Sequence, residues 1–328
     1  MLQNTVKFAS ASGELIGAAE RRYVFKALIQ ERPHLGRVWL ATSGQDKFVL
    51  KDIPKDIFSA FYENTWHRLR DCPHIRLPLD TIPDQRIFVY QYLDDDFLSL
   101  VKKKIPMKAR KKILQASLQG IAELHDRDVV HLDIKSDNIL VDYHHVDQET
   151  VVEQVQITDL ENAAYLPKGR CIKGMLAGND NWRSPEGHFR GELNKPSDIF
   201  SFGAVCIYAM LERVIFGPDD DFQTHQAQGA LPHLIRLERQ ISYFGNLEGL
   251  NGLMKHVGDE EVNCQVLQML WEDRAADYIP YRPFSDWPDI RNTAFQDVIQ
   301  RMMHLDPTRR ITARQALEHP WFQDTENI

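Results

Sequence analysis

Between Val129 and Leu140 the chain reads VVHLDIKSDNIL, a stretch in which apolar residues fence Asp133, Lys135, Asp137 and Asn138. A carboxylate there can take up a proton, an ammonium can lie against an anion, and an amide oxygen can meet a hard cation. The same residues also make an ordinary solvated turn, and the stretch alone does not choose between the two. Four further segments weigh on the choice by their order and spacing. VQITDLENA sets Asp159 directly after a strand-like run, and NWRSPEG (181–187), SDIFSFG (197–203) and LDPTRRIT (305–312) follow.

Elements have to position these residues. RVWLA (37–41), KFVLK (47–51) and RIFVYQY (86–92) are short β-branched and aromatic runs bounded by turn residues, and they predict strands. The segment 56–71 between the second and third predicts a helix, with Ile57, Phe58, Phe61, Trp66 and Leu69 on one face. Helical periodicity then dominates in 107–126, 197–213 and 293–303, and a last helix over 312–318 opens on Thr312 as N-cap. Strands are predicted at 139–142 and 151–158, with YHHVDQET as the polar turn of a lengthened hairpin. Strand and helix do not alternate strictly, which argues against a doubly wound parallel sheet. The expected fold class is α+β, bilobal, with a small β-rich N-lobe and a larger, mainly helical C-lobe.

The totals narrow the function. At 328 residues, 43% hydrophobic and 26% charged, the chain has the composition of a globular protein. A formal charge of -8 argues against a nucleic-acid partner. Cys72, Cys171, Cys206 and Cys264 have no CxxC spacing, so neither zinc nor a disulfide framework is expected. Residues 1–10 lack the apolar core of a secretory signal, and no run reaches membrane-spanning length. The expectation is a cytoplasmic or nuclear protein with no membrane partner. His125, His144 and His145 lack metal-like spacing and read as surface histidines, and Asp219 to Asp221 read as a solvated loop.

With these segments on the page, the sequence resembles the eukaryotic protein kinases from about Tyr23 to Phe322. HLDIKSDN stands where that family has H-R-D-x-K-x-x-N, DLE (159–161) where it has D-F-G, and SPE (184–186) where it has A-P-E. FVLK supplies a strand lysine, Lys51, and Glu63 has the spacing of the helix glutamate that pairs with it. Lysine two places after Asp133 is the serine/threonine pattern, and the closing LDPTRRITARQALEHPWF is similar to the cyclin-dependent and mitogen-activated branch.

The resemblance implies an ATP- and Mg²⁺-dependent enzyme acting on a protein substrate. Asp133 would orient the substrate hydroxyl and accept its proton, with Lys135 against the migrating phosphoryl group. Asn138 and Asp159 would hold Mg²⁺. Lys51, steadied by Glu63, would grip the nucleotide phosphates. Gly36, Val38, Tyr90 (the gatekeeper), Gln91, Tyr92, Leu93, Asp96 (at the ribose) and Leu140 would complete the nucleotide contacts. Asp198 would anchor the backbone of the catalytic loop, and Glu186 would form a buried pair with Arg310. The implied layout is an N-terminal extension over 1–22, an N-lobe over 23–92, a hinge about 91–96, a C-lobe over 97–322 and a tail over 323–328. Residues 214–290 would offer a docking surface for a regulatory protein.

The pattern also breaks. Glu31, Pro33 and Gly36 occupy the three positions of the glycine-rich loop, which weakens its approach to phosphates. Glu161 replaces the glycine after Asp159-Leu160. Asn179 stands in for the threonine that bridges Asp133 and Lys135, and its amide could serve both. Leu132 replaces an arginine that meets a phosphate in the activation segment, and residues 162–178 contain no serine or threonine, Tyr165 being their single hydroxyl. Receptor and phosphosite are missing together, as in a kinase not gated by loop phosphorylation. A pseudokinase scaffold is the competing expectation.

Overall fold

The computed structural model describes residues 13–32, 36–147, 149–258, 261–276 and 278–323. They fall into two compact units. The first comprises the chain up to Arg70 with Arg76–Asp94, and the second comprises Asp71–Ile75 with the chain from Asp95.

Strands of the first unit pair into one antiparallel sheet. They are β1 (Glu14–Ile16), β2 (Arg22–Arg32), β3 (Gly36–Ser43), β4 (Asp46–Asp52), β5 (Asp80–Ile82) and β6 (Ile87–Gln91), in the order β1-β2-β3-β4-β6-β5. Gly44, at φ +61°, makes the two-residue turn that sets the β3–β4 register. One face buries Tyr23, Ala41, Phe48, Leu50, Ile82, Ile87 and Val89 as a core. The three expected strands are present as β3, β4 and β6. β2 was not foreseen, because ten of its eleven residues lie outside the core and its sequence carries no burial pattern. The described part of the expected N-terminal extension joins the sheet as β1. It is tied down where Tyr23 Oη–H and the Ala19 N–H donate to the buried Asp80 carboxylate, at 2.9 and 3.0 Å.

The single helix expected over 56–71 is three pieces: Lys55–Phe61, a π-helical turn Tyr62–Trp66, and His67–Leu69. Phe58, Phe61 and Tyr62 gather on the ring of Phe88, at centroid distances of 4.7, 5.1 and 5.6 Å. An aromatic stripe of that width is what the extra residue of the π-turn accommodates.

The second unit opens with β7 (Asp95–Asp96). Its strands β9 (Ile139–Val146) and β10 (Glu149–Ile157) form a hairpin in a three-stranded sheet of order β10-β9-β7, and β8 (Val129–Val130) pairs with β11 (Ala164–Tyr165). YHHVDQET is therefore mostly strand rather than turn. His144 pairs with Val151 and Tyr143 with Val152, and Asp147 sits at the tip with φ +53°. The helix Met107–Asp126 spans the expected residues, and Lys195–Leu211 buries almost its whole length. Ala313–Leu317 starts on a capping box made by Thr312 and Gln315. Helices Pro232–Phe244, Leu247–Val257 and Glu261–Asp273 pack Leu237, Ile241, Leu250, Leu253, Val257, Leu267 and Leu270 into a second core. No helix among the described residues is long and apolar enough to cross a membrane.

Candidate active site

The loop between β8 and β9 is held by one buried carboxylate. Asp198 is 1% exposed, and it accepts the N–H of Leu132 on Oδ1 (2.8 Å) and the N–H of His131 on Oδ2 (2.8 Å). Those two bonds fix Leu132 at φ +65°, a left-handed backbone that costs a β-carbon-bearing residue about 1–2 kcal/mol. His131 locks the other side. The Asp133 N–H donates to its Nδ1 (3.2 Å), which leaves Nε2 to donate to the Thr158 carbonyl oxygen (2.8 Å). His125 is not a surface histidine: it is buried and gives Nε2–H to Asp198 at 3.0 Å. The helical period that faces it inward was legible, but its partner lies 73 residues away.

On this frame the polar side chains gather. Asp133 Oδ1 accepts the Asn179 N–H at 2.8 Å, and Oδ2 lies 3.5 Å from the Lys135 ammonium, which is 3.4 Å from Asp137. Burial works against the charge on Lys135, but Asp133 and Asp137 outweigh it and raise its pKa above the usual lysine value. Asn138 gives its amide N–H to the Asp133 carbonyl oxygen at 2.9 Å, which leaves its own side-chain oxygen for another contact. The last rung of the β9–β10 ladder pairs Ile139 with Ile157, and Thr158 N–H then reaches the Asn138 carbonyl at 2.9 Å. Asp159 follows that rung at φ +67°, with Leu160 and Glu161 buried behind it. Asn179 does not bridge Asp133 and Lys135 through its side chain as expected. Its backbone N–H meets Asp133, and its side-chain oxygen instead accepts the Asn181 N–H at 3.0 Å.

The segment after Asp159 is braced from within. Ala164 and Tyr165 pair with Val130 and Val129. A β-carbon on Gly178 would stand 2.5 Å from the Leu132 carbonyl oxygen, so only glycine allows this approach. Arg183 donates to the carbonyls of Ala177 (2.8 Å) and Gly178 (2.6 Å) and pairs with Asp180 (2.5 Å), while Arg236 donates to the Asn181 side-chain oxygen at 3.0 Å. Sequence reasoning missed both arginines, since most of their acceptors are neutral oxygens that leave no charge pattern to read.

The Asp198 anchor was foreseen, and so was one further support. Arg310 meets Glu186 in a two-bond pair, 2.7 Å each, with both side chains fully buried. Burial opposes the charge on Glu186, yet the guanidinium holds its carboxyl below the usual glutamate range. Asp219 to Asp221, expected as a solvated loop, are tied in. Asp219 caps the helix Asp220–Ala227, and Asp219 and Asp221 lie 2.5 and 3.2 Å from the buried Arg239, whose charge demands them. Among the described residues no cluster of three or more His, Cys, Asp or Glu could hold a metal.

In the first unit, half-buried Lys51 stands on β4 between Val38 on β3 and Phe88 on β6. Glu63 is exposed and forms no ion pair among the described residues. Tyr62 takes the inward position against Phe88, and Glu63, one residue on in the π-turn, is exposed. Gly36 has φ +96°, and a β-carbon there would stand 2.7 Å from the Asp52 β-carbon; Glu31 pairs with Arg37, and Pro33 lies outside the described residues. Tyr90 is buried beneath the Arg76 guanidinium (4.8 Å), Arg76 also donates to the Gln91 carbonyl, Lys47 lies over the Tyr92 ring, and Leu93 is buried. In the second unit, Leu140 pairs with Asp96. Both carboxylate oxygens of Asp96 cap the helix Phe97–Lys102, accepting Ser99 N–H and Oγ–H at 2.8 and 2.9 Å, a duty the sequence reading did not assign.

A family profile described as "Protein kinase domain" matches residues 38–322. Among curated proteins, the chain is 25% identical over 236 residues to the dual specificity protein kinase CLK1 of Homo sapiens, covering 65% of this chain and 44% of that protein. It is 23% identical over 270 residues to a probable cyclin-dependent serine/threonine-protein kinase of Dictyostelium discoideum, covering 78% and 17%. It is 26% identical over 211 residues to the serine/threonine-protein kinase H1 of Mus musculus, covering 64% and 37%. The matched regions span less than half the length of each of these relatives.

Proposed function

The chain belongs to the protein kinase family, and from that premise we propose that it transfers the γ-phosphoryl group of ATP to serine or threonine hydroxyls of protein substrates. The carrying observation is the state of Asp133. One oxygen is fixed by a backbone N–H at 2.8 Å, and the other is set 3.5 Å from Lys135. A carboxylate held that way can orient an incoming hydroxyl and take its proton late, while the ammonium steadies charge on the migrating group.

The residues present fit Mg²⁺. Asn138 has committed its N–H and keeps an oxygen, Asp159 adds a carboxylate, and such hard oxygens suit an ion that retains part of its water shell. Bound there, Mg²⁺ would neutralise charge on the phosphates. Lys51 would grip the phosphates, beside Gly36 and Val38, and Tyr90 to Leu93 would border the base. Activity would not await phosphorylation, since Arg183 and Arg236 brace the segment that carries no serine or threonine.

Exposed Glu63, which forms no ion pair among the described residues, favours a second reading, a pseudokinase scaffold. Labelled ATP, Mg²⁺ and generic basic or acidic proteins decide between them. Transfer should be present, unchanged by phosphatase pretreatment, and reduced about 10²–10⁴-fold in Asp133→Ala, with a comparable loss in Lys51→Met. No transfer, or transfer indifferent to both substitutions, ends the enzyme reading.

A further inference from the structure

Glu238 lies mid-way along the helix Pro232–Phe244 and is 6% exposed. Its one hydrogen-bond partner among the described residues is Ser242, whose hydroxyl donates to Oε1 at 3.1 Å. Among the described residues no ion pair reaches it. Arg274, a cation whose field it feels, stacks on the Trp271 ring at 3.3 Å and donates to the Trp271 carbonyl instead. A carboxylate kept from water without a counter-charge costs several kcal/mol.

Glu238 also lines a cavity of about 180 Å³. Leu234, Ile235, Leu270 and Ile279 line the same cavity, as do Met269 and Tyr278, which are 45% and 63% exposed. That volume is below the roughly 300 Å³ at which pockets for drug-sized ligands begin. An apolar slot with one carboxyl group at its wall matches a side chain with a hydrocarbon stem and a cationic head, whose charge would favour the ionised carboxylate. A chain of net charge -8 draws basic partners toward it.

We propose that this cavity receives a single lysine or arginine side chain from a partner protein, its stem against Leu234 and Leu270 and its head on Glu238 Oε2. The site is independent of the phosphoryl-transfer residues, so its test does not read activity. Methyl-labelled full-length chain is titrated with N-acetyl-lysine methylamide and with N-acetyl-norleucine methylamide, which lacks only the ammonium. Saturable shifts at Leu234, Ile235, Met269, Leu270 and Ile279 are expected with the lysine probe. They should be about tenfold weaker, some 1.4 kcal/mol, with the norleucine probe or in Glu238→Gln, which retains the acceptor for Ser242. Equal binding of both probes, indifference to Glu238→Gln, or no saturable shift overturns the proposal. So does concentration-dependent self-association, in sedimentation, that Glu238→Gln abolishes, since the occupant would then be a second copy.

Discussion

Glu238 carries a consequence for stability with a definite sign. Burial lifts its pKa from 4.5 to about 7, with the bond from Ser242 pulling the other way. The folded state therefore binds this proton more tightly than the unfolded state, and stability falls as pH rises from about 4.5 through about 7, by up to about 3 kcal/mol. Glu238→Gln has nothing to titrate. Urea unfolding at pH 5 and pH 8 should show the variant matching the parent at the lower pH and exceeding it at the higher. A parent and variant with the same pH slope would remove Glu238 from the account. Leu132 shows another residue-scale lesson. Its side chain differs from the family's arginine, yet its backbone is pinned by Asp198 all the same, so the loop's shape does not depend on the lost guanidinium.

Between elements, the Glu186–Arg310 pair joins the short helix Pro185–His188 to the turn Pro307–Arg309 across 124 residues of chain. With both side chains fully buried, removing one partner strands the other. Glu186→Gln or Arg310→Met should each cost about 3–5 kcal/mol in denaturant unfolding. The double variant should cost less than the sum of the two, because no bare charge is left; strict additivity would mean the pair is not coupled. The pair was legible from its motifs, and Met107–Asp126 was legible to the residue because its apolar positions recur at helical spacing through one continuous core face. β2 was not, since most of its side chains meet solvent and carry no alternation. The π-turn at Tyr62–Trp66 escaped for a different reason: one inserted residue changes which side chain faces inward, so the spacing that selected Glu63 points at Tyr62 in space.

At the scale of the molecule, the proposed functional residues are divided between the two units: Lys51 and Gly36 belong to the first, and Asp133, Lys135, Asn138 and Asp159 to the second. Motif order in the sequence nominated the members of the set, which fall on β3 and β4, in the loop between β8 and β9, and just after β10. It did not reveal their competing duties, such as Asp96 as a helix cap, since a cap and a ligand contact ask for the same side chain. Nucleotide binding tests the set as a whole, because ATP that binds only the folded chain stabilises it by about 2.7 kcal/mol at a hundred times Kd. Asn138 and Asp159 supply hard oxygens and Glu161 adds a second carboxyl-bearing side chain beside them, buried to 8% exposure. If the first two hold Mg²⁺, thermal unfolding with ATP should shift upward clearly more with Mg²⁺ than with EDTA, and Asp159→Asn should erase the difference. If Glu161 displaces the ion, ATP should raise Tm equally in both buffers and Glu161→Gly should restore the Mg²⁺ requirement. The two outcomes separate a working metal site from a nucleotide-holding scaffold without any substrate in hand.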